Sequence, residues 1–270
     1  MSERISVEIK NHIADVKLIR SDKMNALDDD MITALIETSA ELDANRDVRV
    51  VVLSGEGRAF CAGLDTSNFK RTAEGTPGPA TIKKGQTLVD RTHGNANRAQ
   101  QIVQGWRQMR VPVIAAVHGI AFGGGFQLSL GPDIRFVHPE TKLSIMEVKW
   151  GLIPDMGGTP IMRAIAGDDI IRELTYTARI FSGSDAKAYG FATHVSETPY
   201  EDAMALAREI AERSPSAVQN SKKMLNALFD ATEADALMTE SVLQEEVMGK
   251  PNQIEAVKAG LEKRLGNFTD

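Results

Sequence analysis

The chain opens with two runs in which apolar and polar positions alternate, Ile5-Ser6-Val7-Glu8-Ile9 and the stretch from Ile13 to Ile19. Alternation with period two puts every second side chain on one face of a strand, and Asn11-His12 between the runs is turn chemistry, so the pattern predicts a β-hairpin. From Asp28 the period changes. Met31, Leu35, Thr38 and Leu42 recur at helical spacing behind an acidic first turn, which suits the positive end of a helix dipole. Val48 to Leu53 is a short β-branched run, the pattern of a buried strand, and it ends in the loop Gly55-Glu56-Gly57. A helix around Asn95 to Met109 leads to a second buried strand, Val113 to Val117, and then to a cluster of glycines. Ile134 to Val137 and Leu143 to Ile145 read as further short strands. From Thr159 onward helix predominates, interrupted by a turn and a short strand around Phe181 to Val195. The last quarter, with segments Pro199 to Arg213, Ser216 to Phe229, Thr232 to Val247 and Asn252 to Leu265, is nearly all helical.

One stretch carries no apolar period. From Arg71 the chain reads RTAEGTPGPATIKKGQT, rich in Gly, Pro, Thr and Lys, which predicts a surface segment. Between Arg71 and Asp90 there is little apolar surface to offset ordering entropy, so this segment is expected to act as a lid that orders when a ligand binds.

Composition narrows the classes. At 270 residues the chain has room for a sizeable core, and 31 Lys+Arg against 37 Asp+Glu leave a net charge of −6. With a pI near 5.5 no global field favours nucleic acid or an anionic membrane surface, and an acidic ligand must be captured locally. The single cysteine, Cys61, excludes an intramolecular disulfide framework and reads as a small packing residue. The start, MSERISVEIK, lacks the apolar stretch of a signal peptide, so a cytoplasmic protein is expected. The five histidines, at positions 12, 93, 118, 138 and 194, are dispersed without metal-ligand spacing, and no metal is expected. Neither a phosphate-binding G-x-x-x-x-G-K-[ST] loop nor a G-x-S-x-G elbow occurs.

Three segments carry candidate chemistry. Arg58-Ala59-Phe60-Cys61-Ala62-Gly63-Leu64-Asp65 follows the first buried strand, and His118-Gly119-Ile120-Ala121-Phe122-Gly123-Gly124-Gly125-Phe126-Gln127 follows the second and opens into a helix-like run. Glycine lets a ligand approach the backbone, and N–H groups at a helix start have no intrahelical partner. Two such donors from separate loops, converging on one oxygen, would make an oxyanion hole. The third segment runs from Ser144 to Thr159 and holds Glu147 and Asp155, eight residues apart, with Gly151 and Pro154 breaking any helix between them. The resulting turn can aim both carboxylates into one cavity, where apolar neighbours would raise their pKa values toward a useful range.

In this order the motifs RAFCAGLD, PVIAAVHGIAFGGGFQLSLGPDIRF and LSIMEVKWGLIPDMGGT resemble the crotonase (enoyl-CoA hydratase/isomerase) superfamily, and the resemblance covers nearly the whole chain. It implies an α/β fold, a spiral of ββα units over residues 1–198, with a C-terminal helical trimerisation region over 199–270. It also implies a homotrimer or dimer of trimers acting on acyl-CoA thioesters, with no cofactor because coenzyme A is part of the substrate. The oxyanion-hole donors match the backbone N–H groups of Leu64 and Gly124. CoA contacts match Arg58 and Ala62, together with Lys263 from a neighbouring subunit. Of the two hydratase glutamates the second matches Glu147, but the first falls on Gln127, which can orient a water yet cannot exchange a proton at neutral pH. Asp155 lies where dienoyl-CoA isomerases of the superfamily carry a catalytic aspartate and chlorobenzoyl-CoA dehalogenases their nucleophile. His118 stands where Asn is usual and Pro132 where a small residue is usual. The resemblance therefore favours an isomerase-like acid/base pair, Glu147 with Asp155. The alternatives are an Asp155 nucleophile, or a member that binds acyl-CoA without catalysis.

Overall fold

The opening hairpin forms as the alternation predicts. In a computed structural model of the chain, which describes residues 4–67, 74, 85 and 87–270, β1 (Ile5–Lys10) pairs antiparallel with β2 (Ile13–Leu18). Asn11 and His12 make the two-residue turn with φ of 52° and 64°, the left-handed pair that matches the twist of a hairpin. β2 then pairs in parallel with β3 (Val50–Gly55), which pairs with β4 (Val113–Val117), then β6 (Ile134–Val137) and β9 (His194–Val195), giving a six-stranded sheet of order β1-β2-β3-β4-β6-β9. A second sheet of three short strands, β5 (Ile120–Phe122), β7 (Lys142–Ser144) and β8 (Phe181–Ser182), branches from the same segments.

β4, and β3 from Val50 to Leu53, are apolar at every position because both faces of the large sheet are covered. Val51, Leu53, Val113, Ala115 and Val117 join the main core, which receives Met31, Leu35 and Leu42 from α1 (Asp29–Ala44) and Ile102, Val103 and Trp106 from α2 (Arg98–Gln108). The alternate positions Val50, Val52, Ile114 and Ala116 form a second cluster on the opposite face. Both helices have capped starts. Asp28 accepts from the Met31 N–H, and Asn97 with Gln100 forms a capping box.

Beyond the glycine cluster the chain builds α3 (Gly124–Leu130), α4 (Thr159–Ile165), α5 (Asp168–Thr177) and α6 (Gly183–Tyr189). The last of these occupies the stretch expected to hold a turn and strand. Ser182 and Asp185 form its capping box, while the two flanking strands have only two residues each. α7 (Pro199–Ala211) lays Ala203, Ala207 and Ala211 on the second cluster, a stripe small enough for the helix to sit close to the sheet. The expected boundary between residues 198 and 199 thus falls just before a helix that covers the sheet. Then come α8 (Pro215–Ala227), α9 (Glu233–Val247) and α10 (Pro251–Glu262). Lys222 of α8 reaches the core, and Arg49 just before β3 holds both oxygens of Asp270 at 2.6 and 2.8 Å. Leu225, Leu237, Met238, Val242, Leu261 and Leu265 remain exposed on these last helices and the tail. Among the described residues no helix is long and apolar enough to cross a membrane. The expected lid, Arg71 to Asp90, lies outside the described residues except for 74, 85 and 87–90.

Candidate active site

The loop after β3 is held from two sides by backbone hydrogen bonds. Ala62 N–H donates to Met24 O, Leu27 N–H to Gly63 O and Asp65 N–H to Leu27 O, while Cys61 N–H donates to Ile120 O of β5 and Cys61 O accepts from Phe122 N–H. Because Leu27 bonds to the residues on either side of Leu64, the peptide groups of Leu64 itself point the other way, as in any parallel bridge. Its N–H has no backbone partner among the described residues. Gly63 makes this possible. Its φ is +86°, and a Cβ there would sit 2.4 Å from Phe122 O. Cys61 is fully buried, which pushes its thiol up to about 12, and its Sγ donates to Asn25 O; it packs, as expected.

The glycine cluster faces this loop. Gly123 N–H donates to Ser144 O, and its own carbonyl accepts from Gln127 N–H, the first bond of α3. Gly124 therefore contributes one of the N–H groups that a helix start leaves unpaired, and it has no backbone partner among the described residues. Gly125 permits the close approach, since a Cβ there would sit 2.2 Å from Cys61 O.

From β7 the chain enters a 3-10 turn, Glu147–Trp150, that begins with Glu147 and is closed by Gly151. Glu147 is buried. Its Oε1 accepts from Gln127 Nε2 at 2.6 Å, whereas its Oε2 is buried with no hydrogen-bond partner among the described residues. Gln127 is itself wholly buried, and its Oε1 accepts from Met156 N–H and Gly158 N–H, both at 3.0 Å. Only the amide oxygen can take two N–H donors, so this pair fixes which end of the amide faces Glu147. Burial pushes the Glu147 carboxyl above the usual carboxylate range, the Gln127 amide pulls it partly back, and the charge of Asp155 adds to the upward push. Asp155, half-buried, is also raised by burial.

These groups share one cavity of about 220 Å³, whose lining includes Ala62, Leu64, Gly124, Glu147 and Asp155, with Met24, Phe122, Met146, Trp150 and Met156 as apolar walls. Five of the sequence-predicted residues are thus brought together. Three are not. Gln127 stands behind Glu147 and does not line the cavity; its polar atoms are spent on Glu147 and on the 156–158 turn. The N–H groups of Met156 and Gly158 in that turn are directed at Gln127. Arg58 is exposed on the outer side of its loop, and Lys263 is exposed at the end of α10; neither lines the cavity. His118 bonds through Nε2 to Gly57 O at 2.8 Å, and Pro132 O accepts from Arg135 at 2.7 Å, so both unusual residues sit in local backbone contacts. The 24–27 segment clamps the loop through backbone atoms and through the buried Asn25 side chain, which donates to Glu56 O and Ala59 O, and no local period marked it in the sequence. No group of three or more His, Cys, Asp or Glu among the described residues is placed to hold a metal.

The family model described as enoyl-CoA hydratase/isomerase matches residues 8–270. The chain is 30% identical over 263 residues to enoyl-CoA hydratase domain-containing protein 2, mitochondrial, of Bos taurus, covering 95% of this chain and 84% of the relative. It is also 30% identical over 252 residues to Delta(3,5)-Delta(2,4)-dienoyl-CoA isomerase, peroxisomal, of Arabidopsis thaliana, covering 92% and 90%. The crystal structure of enoyl-CoA hydratase from Bacillus anthracis superposes with a TM-score of 0.86 at 28% identity, covering 98% of this chain and 99% of that one.

Proposed function

The chain belongs to the enoyl-CoA hydratase/isomerase (crotonase) superfamily, and from that premise we propose that it moves a carbon–carbon double bond within an unsaturated acyl-CoA thioester, passing protons through Glu147 and Asp155. The observation that carries this reading is the cavity itself, where two carboxyl groups and two unpartnered backbone N–H groups meet among apolar walls. The thioester oxygen accepts from Leu64 N–H and Gly124 N–H. As a C–H bond α or γ to the carbonyl breaks, its electron pair flows toward that oxygen, and the two donors stabilise the enolate. Collapse of the enolate forms a new C–H bond elsewhere on the conjugated chain, and no atom is gained or lost.

Glu147 is the base in this scheme. The N–H of Gln127 on its Oε1 favours the ionised form, and the bare Oε2 is the lone-pair site left for substrate. Asp155, which burial also raises although its own backbone N–H opposes this, is assigned the proton that is delivered. Between turnovers the two carboxyls exchange protons with solvent. Gln127 acts through Glu147 as a positioning residue. CoA runs past Ala62 toward Arg58, and Lys263 reaches it from a neighbouring subunit.

Incubation with 2-enoyl, 3-enoyl and dienoyl thioesters in heavy water tests the reading. Deuterium incorporated on carbon without added oxygen is expected; addition of water across the double bond would make the enzyme a hydratase, and a covalent adduct on Asp155 would replace proton transfer by nucleophilic catalysis. The neighbouring subunit implies a trimer or dimer of trimers. The exposed Leu237, Met238, Val242, Leu261 and Leu265 support this, as more apolar surface than a monomer normally leaves in water. Light scattering at micromolar concentration is expected to give a multiple of three; a stable monomer rules the assembly out.

A further inference from the structure

Asp155 also lines a second cavity, of about 720 Å³, on the other side of the 152–157 turn. Its wall is mixed: Ile153, Pro160, Ile161 and Phe229 give it an apolar part, and Gln104, Arg107 and Asn226 of α2 and α8 a polar one, with Gln100 beside them. All three of these amides are already engaged, Gln100 through its Oε1, which accepts from Asn97 N–H and Arg91. Gln104 donates to Gly157 O at 2.9 Å, and Asn226 donates to Arg107 O at 3.0 Å. The guanidinium of Arg107 is the least satisfied. Its one ion-pair partner among the described residues is Asp133, at 3.8 Å, and Asp133 gives its other oxygen to Lys222 Nζ and Val113 N–H, each at 2.8 Å.

The charge count behind this wall is unbalanced. Arg107, Arg135 and Lys222 surround the single carboxylate of Asp133. Arg135 is buried on backbone carbonyls of Leu130, Pro132 and Phe191 alone, and the charge of Arg107 counts among the causes that lower both it and Lys222. Asp43 also acts on Lys222 from a distance, but it is engaged with the Arg110 N–H. Of the three cations only Arg107 lines the cavity. The acids that face it are Asp155, at the junction with the first cavity, and Asp230, exposed and not paired with Arg107.

We infer that the second cavity receives the far end of the acyl chain and that Arg107 selects chains ending in a carboxylate. The inference rests on the acyl-thioester reading above and adds the substrate class. A chain whose reacting carbons lie between Glu147 and Asp155 continues past Asp155 into this space. A methyl end there can pack on Ile153, Ile161 and Phe229, but it desolvates the guanidinium and leaves its hydrogens without an acceptor. A carboxylate end supplies charge-assisted hydrogen bonds to a planar fork of donors and balances the cluster. A site built around a polar group discriminates strongly against the analogue that lacks it.

The test compares two matched series of enoyl- and dienoyl-CoA thioesters of increasing length, one ending in methyl and one in carboxylate. At the length that spans both cavities, kcat/KM is expected to favour the carboxylate end about tenfold to a hundredfold, from one or two charge-assisted hydrogen bonds. Arg107→Met should collapse the ratio toward one, and Arg107→Lys should restore part of it. Equal turnover of the two series by the unaltered protein overturns the inference while leaving the isomerase reading standing, whether or not the variants fold. Turnover of no thioester in either series overturns the reading itself, and the inference with it.

Discussion

Two buried polar knots, built from the same kinds of atoms, behave as opposites. In one, Lys222 reaches from α8 into the core and gives its ammonium to Asp133 Oδ2, Val111 O and Trp106 O at 2.8, 2.9 and 3.3 Å, so each hydrogen has an acceptor. In the other, Gln127 spends its amide oxygen on two backbone donors and aims its nitrogen at Glu147, yet Glu147 Oε2 stays bare. The Lys222 ammonium is fully hydrogen-bonded, with Arg107 at the edge of the knot 3.8 Å from Asp133, and this first knot joins two parts of the fold. The second is left one partner short beside a cavity, an arrangement that costs stability and supplies an acceptor for something that arrives later. Buried polarity serves structure where it is closed and chemistry where it is left open.

The sharpest way to break that contrast is to remove the open carboxylate. Glu147→Gln keeps size and an acceptor for Gln127 but no exchangeable proton, so turnover should fall by about 10²–10⁴-fold, the usual share of an acid/base group, while thioester binding survives because Leu64 and Gly124 are untouched. Asp155→Asn should follow at about 10²-fold or more. Full activity of Asp155→Asn on every enoyl and dienoyl thioester would leave Glu147 alone as the acid/base group. The closed knot should respond in the other currency. Lys222→Met strands Asp133 in a partly buried site and is expected to lower unfolding free energy by about 3 kcal/mol, read from the denaturant midpoint. A loss under about 0.5 kcal/mol would show that Arg107 can take over the pairing.

Gln127→Glu probes the junction between chemistry and scaffold. A carboxylate there keeps the donors from Met156 and Gly158, but it puts two carboxyl oxygens at the spacing now filled by an N–H···O bond, so one proton must bridge them. The base limb of the pH–rate profile should move to higher pH, with turnover near neutrality down about tenfold, and no water should be added to substrate. A gain in hydration would show that position 127 reaches the cavity after all.

How far the sequence exposed these two knots differs, for a physical reason. The hairpin, the buried strands and the C-terminal helices were legible because each obeys one local period, and the motif order singled out the residues that meet at the first cavity. Glu147 and Asp155 stood eight residues apart across helix breakers, which is a local signal. The closed knot joins positions 222, 133, 111 and 106, and no local period links them. The helix Gly183–Tyr189 was hidden for another reason, being too short for a period to emerge between its flanking strands. Gln127 was legible as a departure from a motif but not as a strut, because its acceptor role depends on two backbone N–H groups about thirty residues downstream.

The smallest effect separates the knots by the sign of their pH dependence. Burial raises the carboxyl of Glu147 in the folded protein, so between its unfolded and folded pKa values the folded state holds the extra proton. Its stabilising contribution is complete below the ordinary carboxylate range and disappears as pH rises through the folded value. Lys222 is lowered by burial, with Asp133 opposing, so there the unfolded chain binds more protons and stability rises with pH only on the alkaline side. Glu147→Gln removes the first titration and leaves the second in place. Its stability relative to the unaltered protein should therefore be near zero around pH 4 and climb through neutrality to a gain of about 1 kcal/mol, because the neutral amide escapes the desolvation cost that the ionised carboxylate bears. Paired denaturant melts across that range measure the difference, in which the titration of Asp155 largely cancels. A flat difference would mean that Glu147 finds a partner in solution, and that the second knot is as closed as the first.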